Sequence, residues 1–337
     1  MRLKKLSLVF LITIAVLGGI AVIAIVDIWR YADQPLADVG RPIVVNIRPG
    51  QTLKATAITL QQAGIIASPF RFILIARLKK YDTNLKAGEY LLSKAMSPNE
   101  ILSTMVKGAV KLYKLTIPEG YNIHQIADLV ADAGLGIQGD FIKAATDTNF
   151  VHKKGLNADT FEGYLFPDTY HFPKDAGIDS IVSTMVSRFK SVFTPEWKAR
   201  ATELGLSVHQ VVTLASIIEK ETGAAFERPL ISSVFHNRLR KRMRLESDPT
   251  VIYGIKNFDG NLTRKHLATP TPYNTYKIRG LPPGPIANPG RESLKAALYP
   301  EDTAFLYFVS KKDSTHHFST NLQEHNRAVR KYQLGQK

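Results

Sequence analysis

The segment most able to do chemistry is Ser207–Gly223, SVHQVVTLASIIEKETG, which carries a carboxylate near its C-terminal end. Ser207 followed by Gln210 is a capping-box start, and Thr222-Gly223 supplies a stop, so the segment is predicted to form one helix. Its apolar residues recur at i, i+3, i+4 and i+7, which is the spacing of a stripe facing a core. These residues are Val211, Leu214, Ala215 and Ile218.

Glu219 does not fit a simple amphipathic helix, because it lies beside the apolar stripe and shares a face with Val212, Ala215 and Ser216. A carboxyl group next to apolar neighbours loses hydration, which raises its pKa and lets it hold a proton near neutral pH. A general acid acting on a glycosidic oxygen needs this property. The alternative is that Glu219 caps the helix or forms a salt bridge at a surface, where most helical glutamates lie.

Two further regions could line a site. FEGYLFPDTY (Phe161–Tyr170) mixes aromatic rings with carboxylates, as a sugar-binding cleft would, although packing against a core is the commoner reason for such a run. Gly280–Gly290, GLPPGPIANPG, is so rich in proline and glycine that it must be a stiff, shaped loop. Loops of this kind often carry function.

The basic residues and the histidines each allow a functional interpretation, which we favour less than a structural one. A helix predicted over Glu227–Arg244 carries Asn237 and a run of basic side chains, and a solvated face is the default explanation. His316, His317 and His325 could be read as a metal site, but their spacing matches no strong pattern. We therefore predict no metal and no cofactor.

The N-terminus predicts a membrane anchor. Leu6–Val26 carries no charge and is long enough to cross a hydrocarbon core of ~30 Å as a helix. The basic residues of Met1–Lys5 precede it, which favours a cytoplasmic N-terminus and an extracytoplasmic remainder. A cleaved signal peptide is the alternative, but no cleavage site of the small-residue type follows the run. Residues 27–43 are predicted to be a linker.

The composition of the chain limits the classes of binding partner that we expect. About 300 residues follow the anchor, enough for two domains, and the chain has no cysteine, so the fold does not depend on disulfides. The net charge of +15 indicates an anionic neighbour. Behind an anchor, lipid headgroups and a carboxylate-bearing wall polymer are better candidates than nucleic acid.

A weak internal repeat organises the first half. VVNIRPGQTLKATAITLQQAGII from Val44 and LTIPEGYNIHQIADLVADAGL further on share a strand, a glycine turn and a helix ended by glycine, with Gly50 matching Gly120. The first copy continues as helix Pro69–Lys80, a strand near Gly88–Leu92 and a helix capped by Ser97. This order resembles a LysM-like module, which predicts glycan binding by residues 44–112; a spacer that binds nothing is the alternative.

Several motifs taken in order carry a resemblance to a known family. They are ASIIEKET around Glu219, EGYLFPDTY, DPTVIYG, YNTY, GLPPGPIANPG and the ending YFVSKKDSTHHFSTNLQEHN. Together they resemble the MltG (YceG-like) endolytic murein transglycosylases, from the anchor to the C-terminus. The resemblance implies an α+β fold with a single transmembrane helix, the LysM-like module and a mixed α+β catalytic domain over residues 113–337.

The same resemblance implies cleavage of the β-1,4 bond between N-acetylmuramic acid and N-acetylglucosamine within peptidoglycan strands, leaving 1,6-anhydro ends. Glu219 matches the family's catalytic glutamate. Glu162 is the best second carboxylate and could raise the pKa of Glu219 by proximity. Residue chemistry and motif position add further candidates for substrate binding. They are Asn237, Asp248, Tyr253, Tyr273, Asn274, Tyr276, Asn288 and His317.

Two other function classes stay open at this point. A non-catalytic, membrane-anchored glycan-binding scaffold of the cell-wall machinery would need no acid on an apolar helix face. A nucleic-acid-binding membrane protein is favoured by the charge alone and would show salt-sensitive DNA affinity. For the preferred function, the expected partners are glycan strands, the lipid bilayer of the inner membrane and peptidoglycan synthases.

Overall fold

A computed structural model describes residues 2–221 and 224–335, with side chains from residue 10 onward. The chain divides into two compact units. Unit 1 consists of Met1–Tyr113 and Phe172–Asp175, and unit 2 of Lys114–His171 and Ala176–Lys337. Helices and short strands alternate in both, so the fold is mixed α+β, as predicted.

The N-terminal helix is longer than the predicted anchor. α1 spans Arg2–Asp33, and its segment Phe10–Asp33 is long and apolar enough to cross a membrane. Asp27 ends the uncharged run but not the helix, because the first residue that breaks helical hydrogen bonding is Pro35. The beginning of the predicted linker is therefore helical.

The C-terminal end of α1 packs into unit 1. Ala32 is 1 % exposed within the apolar core of that unit. The hydroxyl of Tyr31 donates to the carbonyl oxygen of Ser68 at 3.1 Å, and Arg71 Nη2 lies 2.9 Å from Asp27 Oδ2. The helix thus enters the first unit directly instead of through a flexible joint.

This packing predicts a stability difference between two soluble fragments. A fragment that starts at Asp27 keeps Tyr31 and Ala32 in the core, whereas one that starts at Val44 loses them. We expect the longer fragment to melt higher by roughly 5 °C or more, because burial of these side chains contributes at least about 1 kcal/mol. A fragment starting at Pro35 keeps all of β1 and the hydrogen bonds of Ala37 and Gly40, so it is the matched control for loss of α1 and should also melt below the Asp27 fragment. Equal melting of all three would show that α1 adds nothing to the fold.

Unit 1 has the predicted order of elements. β1 (Ile43–Ile47) and β2 (Gly88–Leu92) pair antiparallel, with Val45 opposite Tyr90. Ser97 and Glu100 form a capping box at the start of the last helix of this run. The helices are α2 (Leu53–Gln62), α3 (Pro69–Leu78) and α4 (Pro98–Lys107).

The remaining elements are mostly helical. Two further two-stranded sheets form, β3 with β4 and β5 with β6. In chain order the elements are β3 (Leu112–Thr116), α5 (Ile123–Asp132), α6 (Gln138–Ala145), α7 (Thr148–Lys153), β4 (Thr169–Pro173), α8 (Ile178–Val192), α9 (Pro195–Glu203), α10 (Val208–Glu221), a 3₁₀ turn (Ala225–Glu227), α11 (Arg228–Arg240), α12 (Asp248–Tyr253), α13 (Arg264–Ala268), α14 (Arg291–Leu298), β5 (Tyr307–Ser310), β6 (His316–Ser319) and α15 (Leu322–Tyr332).

The two repeat copies have the same local geometry. Gly50 and Gly120 both adopt φ of +76°, a conformation that glycine takes without strain, and each precedes a capped helix. The caps are Thr52 for α2 and Asn122 for α5, whose side chains accept from the backbone N–H three residues on. The predicted strand–turn–helix pattern is confirmed in each copy.

α10 is a largely buried helix of unit 2, with every residue from Val211 to Ile218 buried. Ser207 Oγ accepts from the N–H of Gln210 at 3.1 Å, so the predicted start is confirmed. The predicted stop at Thr222-Gly223 lies outside the described residues. The stripe of four apolar residues predicted to face the core is fully buried: Val211, Leu214, Ala215 and Ile218.

α11 differs from its predicted form. It ends at Arg240, because Arg242 adopts a positive φ of 53° that a right-handed helix cannot accommodate. Its basic run is also not wholly solvated. Arg238 is 7 % exposed and donates to the carbonyl oxygens of Leu306 and Leu245.

Candidate active site

Glu219 lies in the last turn of α10 with its side chain 6 % exposed. Its Oε2 accepts a hydrogen bond from the backbone N–H of Gly290 at 2.9 Å. Its Oε1 accepts one from Nη2 of Arg228 at 3.3 Å. Val212 and Ala215, which share its face, are fully buried. The carboxyl group is therefore enclosed and held in one orientation by an amide and a guanidinium.

A second carboxyl group, that of Glu119, shares this arginine. Arg228 Nη2 lies 3.8 Å from Glu119 Oε2. Burial raises the pKa of Glu119, the charge of Glu219 raises it further, and Arg228 opposes both effects. A Cβ placed on Gly290 would lie 1.9 Å from Glu119 Oε1, so the Glu119 carboxyl group packs closely against the backbone of Gly290. The two carboxyl groups are thus electrostatically coupled beside one cation.

Sequence reasoning missed both Glu119 and Arg228. Glu119 precedes Gly120 in the turn of the second repeat copy, and that turn drew attention for its glycine only. Arg228 is the first residue of α11 and lies outside the basic run that was considered. The sequence signal that could have identified Glu119 is a Pro-Glu-Gly turn ahead of a capped helix.

The shared arginine gives a testable expectation. Arg228→Met should raise the pKa of Glu119, because the opposing positive charge is gone. Carboxyl ¹³C NMR titration measures the pKa directly. Arg200→Met, which removes an arginine paired with the exposed Glu203, is the control. An unchanged Glu119 pKa would contradict the coupling.

Glu162 is the buried carboxyl group of unit 2 that holds three segments together. Its side chain is enclosed, and the residue is 3 % exposed. Oε1 accepts from Asn288 Nδ2 at 2.9 Å, and Oε2 accepts from the N–H of Ile123 at 3.2 Å and the hydroxyl of Tyr253 at 3.1 Å. Burial raises the pKa of Glu162 to about 7, against the lowering effect of these hydrogen bonds.

Asn288 links Glu162 to the loop that reaches Glu219. Its Nδ2 also donates to the carbonyl oxygen of Tyr121 at 2.9 Å, and its Oδ1 accepts from the N–H of Leu165 at 2.8 Å. Its backbone N–H donates to the same Tyr121 oxygen at 2.8 Å. Two residues further on, Gly290 donates to Glu219. The predicted stiff loop is therefore fixed by a fully buried amide.

The buried carboxyl groups predict how stability depends on pH. In the folded chain Glu162 keeps its proton up to about pH 7, whereas unfolded it ionises from about 4.5. Because the folded state binds the extra proton, Glu162 contributes stability that is lost as pH rises from about 4.5 to about 7, which lowers the melting temperature relative to a chain without this carboxyl group. Burial also raises the pKa of Glu221 to about 7, which acts in the same direction.

Melting of the detergent-solubilised chain at pH 5 and pH 8 measures this effect. Each group could contribute on the order of 3 kcal/mol across the window. Glu162→Gln does not titrate and should reduce the difference between the two melting temperatures. Glu203→Gln, at a side chain 63 % exposed, should leave the difference unchanged. A Glu162→Gln variant with the full difference would contradict the assignment.

Two of the predicted tyrosines lie near Glu162, and one of them, Tyr273, lines a polar cleft. The rings of Tyr253 and Tyr273 lie 4.9 Å apart, and burial raises the pKa of both hydroxyls. Tyr273 and Glu162 line a cleft of about 220 Å³ with His209, whose Nε2 is 2.9 Å from the carbonyl oxygen of Pro283. Tyr253 contacts this group through Glu162 and the Tyr273 ring, and the part of these residues in substrate binding stays a prediction.

Asp248 and Tyr276 belong to a different group of residues. The Tyr276 hydroxyl donates to Asp248 Oδ1 at 2.8 Å. Both line a cavity with Glu221, which accepts a hydrogen bond from Ser247 Oγ. The structure therefore divides the predicted binding residues between two places in unit 2.

Three other predicted residues line neither of these two cavities. Asn237 donates to the carbonyl oxygens of Thr303 and Phe305. Asn274 is fully buried, donates to carbonyl oxygens at the C-terminal end of α13, and accepts from the N–H of Tyr276 at 2.9 Å. His317 lies against the Tyr332 ring at 5.7 Å. Their part in substrate binding stays a prediction.

The three histidines that could be read as a metal site have other neighbours. His316 Nδ1 is 2.7 Å from Glu227 Oε2. His325 stacks on the Tyr307 ring with centroids 5.1 Å apart. The environment of each ring is therefore aromatic or carboxylate.

Comparisons with known proteins identify the family of this chain. A model described as the YceG-like family matches residues 45–331. The chain is 35 % identical over 304 residues to an endolytic murein transglycosylase of Bacillus subtilis, covering 86 % of this chain and 84 % of that protein. It is 30 % identical over 325 residues to an endolytic murein transglycosylase of Streptococcus pneumoniae, covering 85 % of this chain and 58 % of that longer protein.

A solved structure matches as well. The crystal structure of a yceG-like protein from Listeria monocytogenes has a TM-score of 0.60 and 37 % identity, covering 85 % of this chain and 98 % of that chain. Fold and site define a mixed α+β protein whose buried helix presents an enclosed, arginine-paired glutamate. The chain belongs to the YceG-like family.

Proposed function

We propose that this protein is an endolytic murein transglycosylase. It cleaves the β-1,4 bond between N-acetylmuramic acid and N-acetylglucosamine within glycan strands and leaves 1,6-anhydro ends. The observation that supports this most is the enclosed carboxyl group of Glu219, oriented by Gly290 and Arg228, in a chain that matches proteins named for this activity.

Glu219 serves in turn as general acid and general base. Its proton goes to the glycosidic oxygen as the bond from that oxygen to C1 breaks. The resulting carboxylate takes the proton of the sugar's own 6-hydroxyl, whose oxygen forms the new bond to C1. No water is consumed, and Glu219 ends protonated as it began. One carboxyl group is therefore sufficient, whereas hydrolysis normally uses two.

The neighbours of Glu219 fit these two roles. The 2.9 Å hydrogen bond from Gly290 fixes Oε2, and the longer 3.3 Å contact of Oε1 with Arg228 leaves Oε1 as the oxygen to face the substrate. Arg228 stabilises the carboxylate between the two steps. Glu119, and not the predicted Glu162, is the carboxyl group that shares this arginine with Glu219. Glu162 supports the site through Asn288.

Mass spectrometry of murein digested by the full chain tests this function. Transglycosylase activity yields internal fragments that end in an anhydro ring. Products with reducing ends would indicate a hydrolase instead. Strand binding without any product would indicate the scaffold alternative.

We also propose a location and a domain assignment. α1 anchors the protein in the inner membrane, with the remainder on the extracytoplasmic side, because basic residues precede the span. Residues 44–112 form a LysM-like module that binds glycan, and residues 113–337 carry out catalysis. Since α1 continues into the core of unit 1, the first unit lies close to the bilayer. Cleavage near the membrane would limit strand length as synthases extend new glycan.

A further inference from the structure

A cavity of about 400 Å³ lies in unit 2 where five chain segments meet. Its walls come from the end of α10, α11 with the turn after it, the start of α12 with Tyr276, β5, and the start of α15. The volume falls within the range of small-molecule sites, about 300–1,000 Å³. The residues that contact Glu219 do not line it: Gly290 and Arg228 lie elsewhere.

The walls combine aromatic rings with hydrogen-bonding groups. Tyr276 is a half-buried ring, and an aromatic face of this kind packs against the apolar side of a sugar. The Tyr307 ring in the same wall is already covered by the stacked His325 ring and by the Arg238 guanidinium, whose carbon lies 5.0 Å from the ring centroid. Asp248 Oδ1 accepts from Tyr276, and Glu221 accepts from Ser247. Each carboxyl group has more than one acceptor site, so capacity for hydroxyl groups remains.

One buried polar atom in the wall lacks a partner. Nδ1 of His325 makes no hydrogen bond with any described residue, although the ring stacks on Tyr307. A buried polar atom without a partner costs about 1–3 kcal/mol. Because this atom is buried, a ligand hydroxyl or amide could pair with it only if the ring turns toward the cavity.

The charges of the cavity favour an uncharged ligand. Arg238 is neutralised by Glu246 at 3.1 Å, and its other donors are directed to backbone carbonyl oxygens. Burial raises the pKa of Glu221 to about 7, and burial lowers the pKa of His325, so both groups tend toward their neutral forms. A polyhydroxyl ring with an amide substituent fits this set of donors and acceptors better than an anion.

The cavity lies on a different side of α10 from the cleavage point. Glu221 follows Glu219 by two positions, which is about 200° around the helix axis and about 10 Å across it. A ligand held at Glu221 would therefore not meet the Glu219 carboxyl group. A long strand passing the end of α10 could contact both.

We propose that the cavity formed by Glu221, Asp248, Tyr276, Tyr307 and His325 is a saccharide subsite that binds one N-acetylhexosamine ring of a strand away from the cleaved bond. This inference rests on the proposed function for the identity of the polymer. Such a subsite would bind the part of a strand that extends beyond the cleaved bond. Cleavage inside a strand requires the strand to be bound in this way.

Binding is measured with the full chain in detergent, carrying Glu219→Gln so that no substrate is cut. The probes are purified uncrosslinked glycan strands and chitotetraose. Asp248→Asn and Tyr276→Ala should each raise the Kd for glycan strands about tenfold. Tyr299→Ala, at an exposed tyrosine outside the cavity, should leave it unchanged.

A second measurement does not use the Asp248 and Tyr276 variants. Histidine ¹³C–¹H spectra of the Glu219→Gln chain should show the His325 resonance shifting on addition of chitotetraose, with the resonance assigned by the single signal that His325→Gln removes. An unchanged Kd in both variants, or a stationary His325 resonance at saturating chitotetraose, overturns the subsite. Failure of the proposed function would be seen in a different experiment, in which the unmodified chain releases murein products without anhydro ends. The two failures can therefore be told apart.

Discussion

Glu219→Gln is expected to fold normally, bind glycan strands and release essentially no anhydro-ended fragments. Glutamine keeps the size of the side chain and can still accept from the Gly290 N–H, but it has no proton to give. A general acid contributes about 10²–10⁴-fold, and a residue that acts as both acid and base belongs at or above the upper end. We therefore expect kcat to fall about 10⁴-fold, as counted by mass spectrometry of anhydro ends.

Glu219→Asp provides the matched test of position. Its carboxyl group is withdrawn by one methylene, so it should keep the charge near Arg228 but lose most activity through misplacement. Glu203→Gln, an exposed carboxyl group of the same unit, is the control for general effects of charge removal. Near-native rates from Glu219→Gln would remove this residue as the catalyst. Glu119, which shares its arginine, would then be tested first.

Asn288→Ala is expected to reduce both stability and turnover. The substitution leaves Glu162 Oε1 and the N–H of Leu165 without hydrogen bonds in a fully buried place. Since each such loss costs about 1–3 kcal/mol, the total should be roughly 4 kcal/mol. The released loop also carries Gly290 away from Glu219, and a displacement of about 1 Å can lower the rate about 100-fold.

Ser216→Ala separates these two effects. Ser216 Oγ accepts from the N–H of Ile286 at 3.0 Å, so it fixes the same loop at a point further from Gly290. We expect it to lower the melting temperature while changing kcat less than tenfold. The measurements are melting curves and initial rates on the same preparations. If Asn288→Ala lowers stability but not kcat, the loop has a structural role only.

Much of the local structure was determined by the sequence alone. The caps at Ser97 and Ser207, the turns at Gly50 and Gly120, and the apolar stripe beside Glu219 depend on neighbouring residues in the chain. Hydrogen bonds of a cap and the periodicity of a helix span only a few positions, so their signals survive without tertiary information. The length of α1 was misread because a charged residue ends an apolar run without ending a helix.

The composition of the site was decided by tertiary packing. Glu119 and Glu219 come from positions a hundred residues apart and meet at Arg228, and Asn288 joins Glu162 over a longer interval still. Periodicity places a residue on a face of its own element, but it does not say which other element lies opposite. That choice depends on how buried surfaces fit together and on which polar groups must be paired once water is excluded. Sequence could therefore single out Glu219, and only the folded chain could supply its partners.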